Sequence, residues 1–279
     1  MAIVVPVVFS DCVNEAMKTS LKMGMLADDV TDQVAEITEC GDTVNFPKYD
    51  RVAEIGEITQ GTAVVPKEVS MTENKATIKQ TGGAIRVYDR TEVQVRGKTM
   101  DNMAQQLADG MAQDLDNALS AVMLAKATKK SPQANATSVT ADEIWTALDL
   151  FGDDRDTDRF KGIAINSRLL SSFMKMDEFV DVQKTYQTNG NGLVKNGLVG
   201  FWAGIPCYLT NNGTFDSSAN ETITYIVQKG ALGYVNQKDV TVEIEREEKL
   251  FANDIVTNRL YAVNVLDSDG IVILRKTVA

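Results

Sequence analysis

The sequence predicts an α+β protein built as five successive parts: an N-terminal arm, an extended β-ribbon, one long helix, an inserted α/β region and a β-rich return. Three observations carry this reading. Cys40 to Val87 alternates apolar and polar residues on both sides of a loose, glycine-containing middle. Thr99 to Lys130 repeats apolar residues at helical spacing. Beyond that helix, strand-like and helix-like segments alternate to about Lys229, and only strand-like segments follow.

The arm opens with an apolar run, Ala2 to Phe9. No basic residue precedes the run and Asp11 follows at once, so it lacks the charged start and small-residue cleavage site of a secretory signal. It is expected to pack on another subunit. "SDCVNEAMKTSLKMG" then reads as a short helix, with Ser10 or Asp11 as cap, Val13, Met17 and Leu21 as an i, i+4 stripe, and Gly24 as terminator. In the ribbon, Gly41-Asp42 marks a turn and Val44 and Phe46 begin the alternation. Ile55 to Val65 is loose and polar, with Gly56 and Gly61, and alternation resumes at Val69, Met71, Ala76 and Ile78. An isolated hairpin is marginal in water, so the ribbon is expected to rest on a neighbouring subunit.

The long helix carries Met103, Leu107, Met111, Leu115, Leu119 and Val122 on one stripe, which is core patterning, and would run roughly 40 Å. "SPQANATS", Ser131 to Ser138, is a turn-rich linker. Thr140 and Glu143 form a capping box ahead of Ile144, Trp145, Leu148 and Phe151. Lys161–Asn166 reads as a buried strand, "SRLLSSFMKM" as a helix capped at Asn166 or Ser167, "TYQTNGNGLVKNG" as a long polar loop, and Ile223–Val227 as another strand. Near the C-terminus Val240, Val242 and Ile244 alternate inward with Thr241, Glu243 and Glu245 outward. Tyr261, Val263 and Val265 lead to a turn at Asp267 to Gly270, and Ile271 and Ile273 return as the second limb of a hairpin.

Composition narrows the chemistry. The 279 residues carry a net charge of −11 and no histidine. Lack of histidine removes Ser–His and Cys–His pairs and every imidazole metal site. Acidity without a basic cluster argues against nucleic-acid recognition. Cys12, Cys40 and Cys207 are odd in number and widely spaced, which suits buried or idle thiols in a reducing compartment. No stretch approaches the roughly 18 apolar residues of a membrane span, and the expectation is a soluble intracellular product.

Three stretches invite a chemical reading. "GLVGFWAGIPCYLTNN" holds Gly197, Gly200 and Gly204, but their spacing fits neither a P-loop nor a dinucleotide fingerprint, and a strand-like run with Pro206 follows. A tight turn feeding a strand is the expectation, with Trp202 as packing. Asp154, Asp156 and Asp158 imitate the start of a Ca²⁺ loop, yet its sixth and twelfth positions hold Arg159 and Ile165 instead of Gly and Glu. Glu243, Glu245, Glu247 and Glu248 could pair as catalytic carboxylates, but no pocket motif accompanies them. No catalytic, cofactor-binding or metal residue is therefore assigned.

The order of parts resembles the major capsid protein of tailed bacteriophages, the Hong Kong ninety-seven fold. The resemblance rests on "GDTVNFP" at the start of the ribbon, "MAQDLDNAL" with Asp114 and Asp116 in the long helix, "VGFWAGIPCYLTNN", and "YIVQKGALGYVNQKDVTVEIEREEKLFANDIVTNRLYAVNVLDSDGIVIL". It implies an N-terminal arm at residues 1–39, an extended loop over a neighbour at 40–87, a peripheral domain with its spine helix at 88–139 and 230–279, and an axial domain at 140–229. It further implies self-assembly into hexamers and pentamers of an icosahedral phage head, a separate scaffolding protein and a portal, packaged double-stranded DNA held without sequence recognition, and no cofactor or membrane. The place of action would be the virion, assembled in the host bacterial cytoplasm. An encapsulin-type compartment shell is the alternative with the same fold, and a carboxylate-based enzyme a distant one.

Overall fold

The computed structural model describes residues 6–32, 42–46, 48–49, 71–72, 74–90, 99–131, 138–181 and 197–277. The first helix, α1, spans Pro6–Ser20. It starts ahead of the expected caps Ser10 and Asp11. Proline tolerates the first helical position because its missing N–H would be unsatisfied there anyway. Phe9, Val13, Met17 and Leu21 are buried in the main core of their own chain, together with Leu107, Met111, Leu115 and Leu119. Of the apolar run expected to pack on a neighbour, Phe9 packs within its own subunit, and the side chains of Ala2 to Val8 lie outside the described residues. A 3₁₀ turn, Met23–Leu26, leads to β1, Asp28–Asp29.

The ribbon is formed by β2 (Thr43–Asn45), β3 (Lys48–Tyr49), β4 (Met71–Thr72) and β5 (Lys75–Thr77). Its pairing keeps one antiparallel register from Thr43↔Thr77 to Tyr49↔Met71. The expected loose middle, Ile55 to Val65, lies outside the described residues. The ribbon's return limb ends at Ile78: the next strand, β6 (Lys79–Tyr88), pairs along its length with β15 instead. Alternation alone cannot separate these partners, because an outward and an inward face recur in either setting.

The long helix is α2, Thr99–Lys126, about 42 Å at 1.5 Å per residue. It stops short of Lys129–Lys130, which form β7. Helix α3, Ala141–Asp149, carries the expected capping box, with Thr140 N–H donating to Glu143 at 3.0 Å. The same Glu143 carboxylate meets Lys276, and both side chains are buried. Strand β8 is Phe160–Ile165. The expected helix after it shrinks to a 3₁₀ turn and one helical turn, Leu170–Phe173, capped by Asn166, whose side chain accepts from Arg168 N–H. Strand β9 is Phe179–Asp181, and the polar loop beyond it lies, through Asn196, outside the described residues. There follow β10 (Leu198–Trp202), β11 (Ile205–Leu209), β12 (Phe215–Asp216), β13 (Glu221–Gln228), β14 (Leu232–Glu247), β15 (Ala252–Val265) and β16 (Ile271–Thr277).

Two sheets result. A four-stranded sheet has the order β1-β14-β15-β6, and an eight-stranded sheet runs β7-β16-β13-β8-β11-β10-β9 with β12 beside β13. The expected hairpin through Asp267 to Gly270 is not one. Strand β15 pairs with β14 and β6, whereas β16 pairs with β13 and β7 in the other sheet. The true hairpin is β14–β15, turning at Glu248–Phe251. The chain changes sheet twice at one place. Leu266 and Asp267 N–H both donate to Ala231 O, at 2.8 and 3.1 Å, and a Cβ on Gly270 would lie 2.7 Å from the Ala231 Cβ.

One side chain joins three distant segments. Asp116 of α2 is fully buried and accepts from the backbone N–H of Lys22 (3.3 Å) and Gly24 (3.2 Å) and from Asn212 Nδ2 (3.2 Å). Burial pushes its pKa up, and these hydrogen bonds hold it down in part. Replacing Asp116 with Ala strands donors that cost about 1–3 kcal/mol each when unsatisfied. The expected loss is about 3 kcal/mol in denaturant unfolding, against under 0.5 kcal/mol for Asp109→Ala on the exposed face of the same helix.

Candidate assembly surfaces

The expected tight turn feeding a strand is present, and a strand also precedes it, so the glycine run forms a hairpin. Strands β10 and β11 pair through Trp202↔Ile205, and the two residues between them, Ala203 (φ 47°) and Gly204 (φ 88°), are both left-handed. This is the two-residue turn whose twist suits right-twisted strands. Trp202 is buried, with its ring centroid 4.8 Å from that of Trp145. Strand β11, not a helix N-terminus, follows the glycines. Cys207 on β11 is buried, its thiol pushed up to about 12, while Cys12 is exposed on α1. Cys40 lies outside the described residues.

The acidic candidates fall on exposed faces. Asp154 pairs with Arg159 at 2.6 Å, and Asp156 and Asp158 lie at the exposed turn around Thr157–Arg159. Glu243 and Glu245 lie opposite Val256 and Asp254 across the β14–β15 ladder. Among the described residues, Glu243 is the only carboxylate on a depression of about 410 Å³ bordered by Gly82, Gly83 and Asn258. Glu247 instead lies 3.5 Å from Arg86. The glutamates are therefore not gathered into one acid–base pair, and Glu248 begins the turn.

The tip of the β14–β15 hairpin was missed in the sequence reading. Leu250 is 45% exposed, Phe251 69% and Tyr88, on the neighbouring strand, 48%. Phe251 also takes a left-handed backbone (φ 50°), uncommon for a bulky residue. Two forked ion pairs brace this end: Arg86 to Asp254 at 2.7 and 2.6 Å, and Arg246 to Asp89 at 2.6 and 2.7 Å. The available signal was the pair Leu250-Phe251 directly after the charged run Glu243–Lys249.

The root of the ribbon is a second feature. Val44 and Phe46 are buried against Val30, Val235 and Ala262. Asn74 N–H donates to Asn45 Oδ1, its Nδ2 to Val265 O, and its Oδ1 accepts from Lys126 Nζ at 3.0 Å. Asn264 Nδ2 donates to the same Asn74 Oδ1. The ribbon is thus fastened to the end of α2 and to β15.

Solved structures share the overall fold. The chain aligns with the capsid of Ralstonia phage GP4 at TM-score 0.62 and 12% identity, covering 86% of this chain and 85% of that one. It aligns with Mycobacterium phage Che8 at 0.61 and 17%, covering 90% of each. The chain has the Hong Kong ninety-seven capsid fold. A virus-like particle from Pyrococcus furiosus also aligns with this fold, at 0.57 and 13% identity over 95% and 97% of the two chains. No family sequence model matches, and no curated protein sequence does. Among the described residues of this capsid-fold chain, no helix is long and apolar enough to cross a membrane.

Two predictions follow from these geometries. Gly204→Val puts a β-branched residue at a left-handed position and is expected to lower stability by about 2 kcal/mol, read by thermal unfolding. Asp89 and Asp254 are held below the ordinary aspartate range by hydrogen bonds from Arg246 and Arg86. A depressed carboxylate stabilises fully above its unfolded pKa, about 4, and loses that stabilisation as pH falls through the lower folded value. Amide exchange at the hairpin tip, corrected for intrinsic rate, is therefore expected to quicken below about pH 4. Arg246→Gln should be fast already at neutral pH.

Proposed function

We propose that this chain is the major capsid protein of a tailed bacteriophage, assembling through hexamers and pentamers into an icosahedral head around double-stranded DNA. The observation that carries the reading is the whole-length likeness to capsid subunits, spanning 85–90% of both chains in the two phage comparisons. Its work is shape, not chemistry. The glutamate-bearing strand face supplies ion pairs, and the glycine run supplies a turn.

Within this reading, residues 1–39 serve as the N-terminal arm and 40–87 as the extended loop over a neighbour. Residues 88–139 and 230–279 form the peripheral domain, and 140–229 the axial domain. Strand β16 ties the C-terminal part to the axial strands through β13. The net charge of −11 suits a container for DNA, because a negative wall limits phosphate contacts. A separate scaffolding protein and a portal complete the assembly, which forms in the host cytoplasm and ends in the virion.

Electron microscopy of the expressed protein, alone and with its scaffold, tests the reading. Closed icosahedral shells are expected, and a strictly monomeric species under every assembly condition overturns it. The alternative reading is a cellular compartment shell of the same fold. Nuclease-protected DNA inside native particles supports the phage head; protein cargo supports the compartment. The exposed, left-handed Phe251 gives a sharper test. Phe251→Gly relieves an αL cost of roughly 1 kcal/mol and so should raise the melting temperature of the unassembled subunit. It should also slow assembly, read by light scattering.

A further inference from the structure

Residues opposite one another in β14, β15 and β6 form rows on the outward face of the four-stranded sheet. One such row is Glu243, Val256 and Ala84. Along β6 the same face carries Arg86 and Tyr88 toward the hairpin tip, but only Gly82 and Ala84 away from it. The small residues leave the depression of about 410 Å³, and Val256 borders it at 39% exposed. Among the described residues, Glu243 is the one charged group lining it. Single exposed apolar residues need no explanation, whereas grouped ones mark interaction sites. Of six large apolar side chains left exposed among the described residues, four belong to this sheet and its turn: Tyr88, Leu250, Phe251 and Val256.

The tip is a projection held in place. The Phe251 N–H donates to Glu248 O at 3.4 Å, and Phe251 O accepts from Asp89 N–H at 3.0 Å. A contact residue fixed before docking loses little freedom on docking. This ring cannot fill the depression of its own subunit. Val256 stands five residues further along the extended strand β15, about 17 Å away. Projection and depression can therefore meet only between two subunits.

Their charges match. Lys249, two residues before Phe251, is exposed, as is Glu243. Neither has a partner among the described residues. Of the carboxylates at the tip, Glu247 lies beside Arg86, and Glu248 opens the turn. The unpaired lysine next to the ring is thus opposite in sign to the unpaired glutamate on the depression.

We infer that the hairpin tip of one copy of the chain docks in the sheet depression of the next, with Phe251 seated over Ala84 and Val256 and Lys249 paired with Glu243. The inference rests on the capsid reading and deepens it by naming both halves of one intersubunit contact. The halves are different patches, so the contact runs head to tail, and each subunit offers one knob and one socket. Contacts of this kind close into rings or propagate.

Charge reversal is the test. Glu243→Lys and Lys249→Glu each place like charges at the contact, and each should raise the protein concentration needed for shell formation about tenfold. The double variant restores an opposite pair between neighbours and should return that concentration to within about threefold of wild type. All three change exposed sites, so the unassembled variants should melt at the wild-type temperature. Ala84→Leu fills the socket and should also raise the threshold about tenfold. A side-chain-resolution map of the wild-type shell should place the Phe251 ring within about 4.5 Å of Ala84 or Val256 in the next copy. Single variants that assemble at the wild-type threshold, or a double variant no better than the singles, overturn the contact and leave the capsid reading intact. So does a map in which a neighbour's ribbon, not its hairpin tip, fills the depression. A wild-type protein that never assembles overturns the capsid reading itself.

Discussion

One buried carboxylate fixes how three segments of the subunit meet. Asp116 lies midway along α2 and takes hydrogen bonds from the turn after α1 and from the loop after β11. These segments are separated by most of the chain, and neither has an apolar contact that fixes its orientation as strictly as a donor aimed at an oxygen. Around Asp116 the helix makes further directional contacts on both sides. Asp114 accepts from Tyr261 in the four-stranded sheet, and Ser120 meets Tyr225 and Gly213 O beside the eight-stranded sheet. Hydrophobic burial supplies most of the stabilisation, but it is non-directional. The polar groups of α2 set how the two sheets sit along it.

Much of this fold was legible in the sequence because the relevant signals are local. The helical stripe from Met103 to Leu119, the capping box at Thr140 and the alternation at Val240 to Ile244 each depend on spacing within a few residues, and each corresponds to an observed element. What failed was partnership. β15 and β16 alternate in the way hairpin limbs do, yet they belong to different sheets. Strand β6 alternates as a ribbon limb does, yet it leaves the ribbon for β15. A period of two states that one face is buried, not what buries it. The start of α1 was placed late for another reason: Ser10 and Asp11 look like caps, but Pro6 opens the helix ahead of them.

The candidate surfaces were less legible. The glycine hairpin was recognised from its spacing and the strand that follows. Phe251 was not, because its significance comes from exposure and a left-handed backbone, neither of which is written in "EEKLF". The buried Arg259 sits in "TNRLYAV" two residues before Tyr261, on the same strand face, but its charge masked that signal; the packing of α1 over β14 and β15 encloses it.

The double change of sheet at Ala231 also orders events in time. In the eight-stranded sheet β13 lies directly beside β16, but the whole β14–β15 hairpin stands between them in the order of synthesis. A ribosome delivers β8, β11 and β13 first, and the sheet they begin stays open on one side until the hairpin has been made and threaded past Ala231. Lys276 can then reach Glu143 and seal α3 to the last strand. An unfinished chain therefore lacks the strand that closes the eight-stranded sheet beside β13.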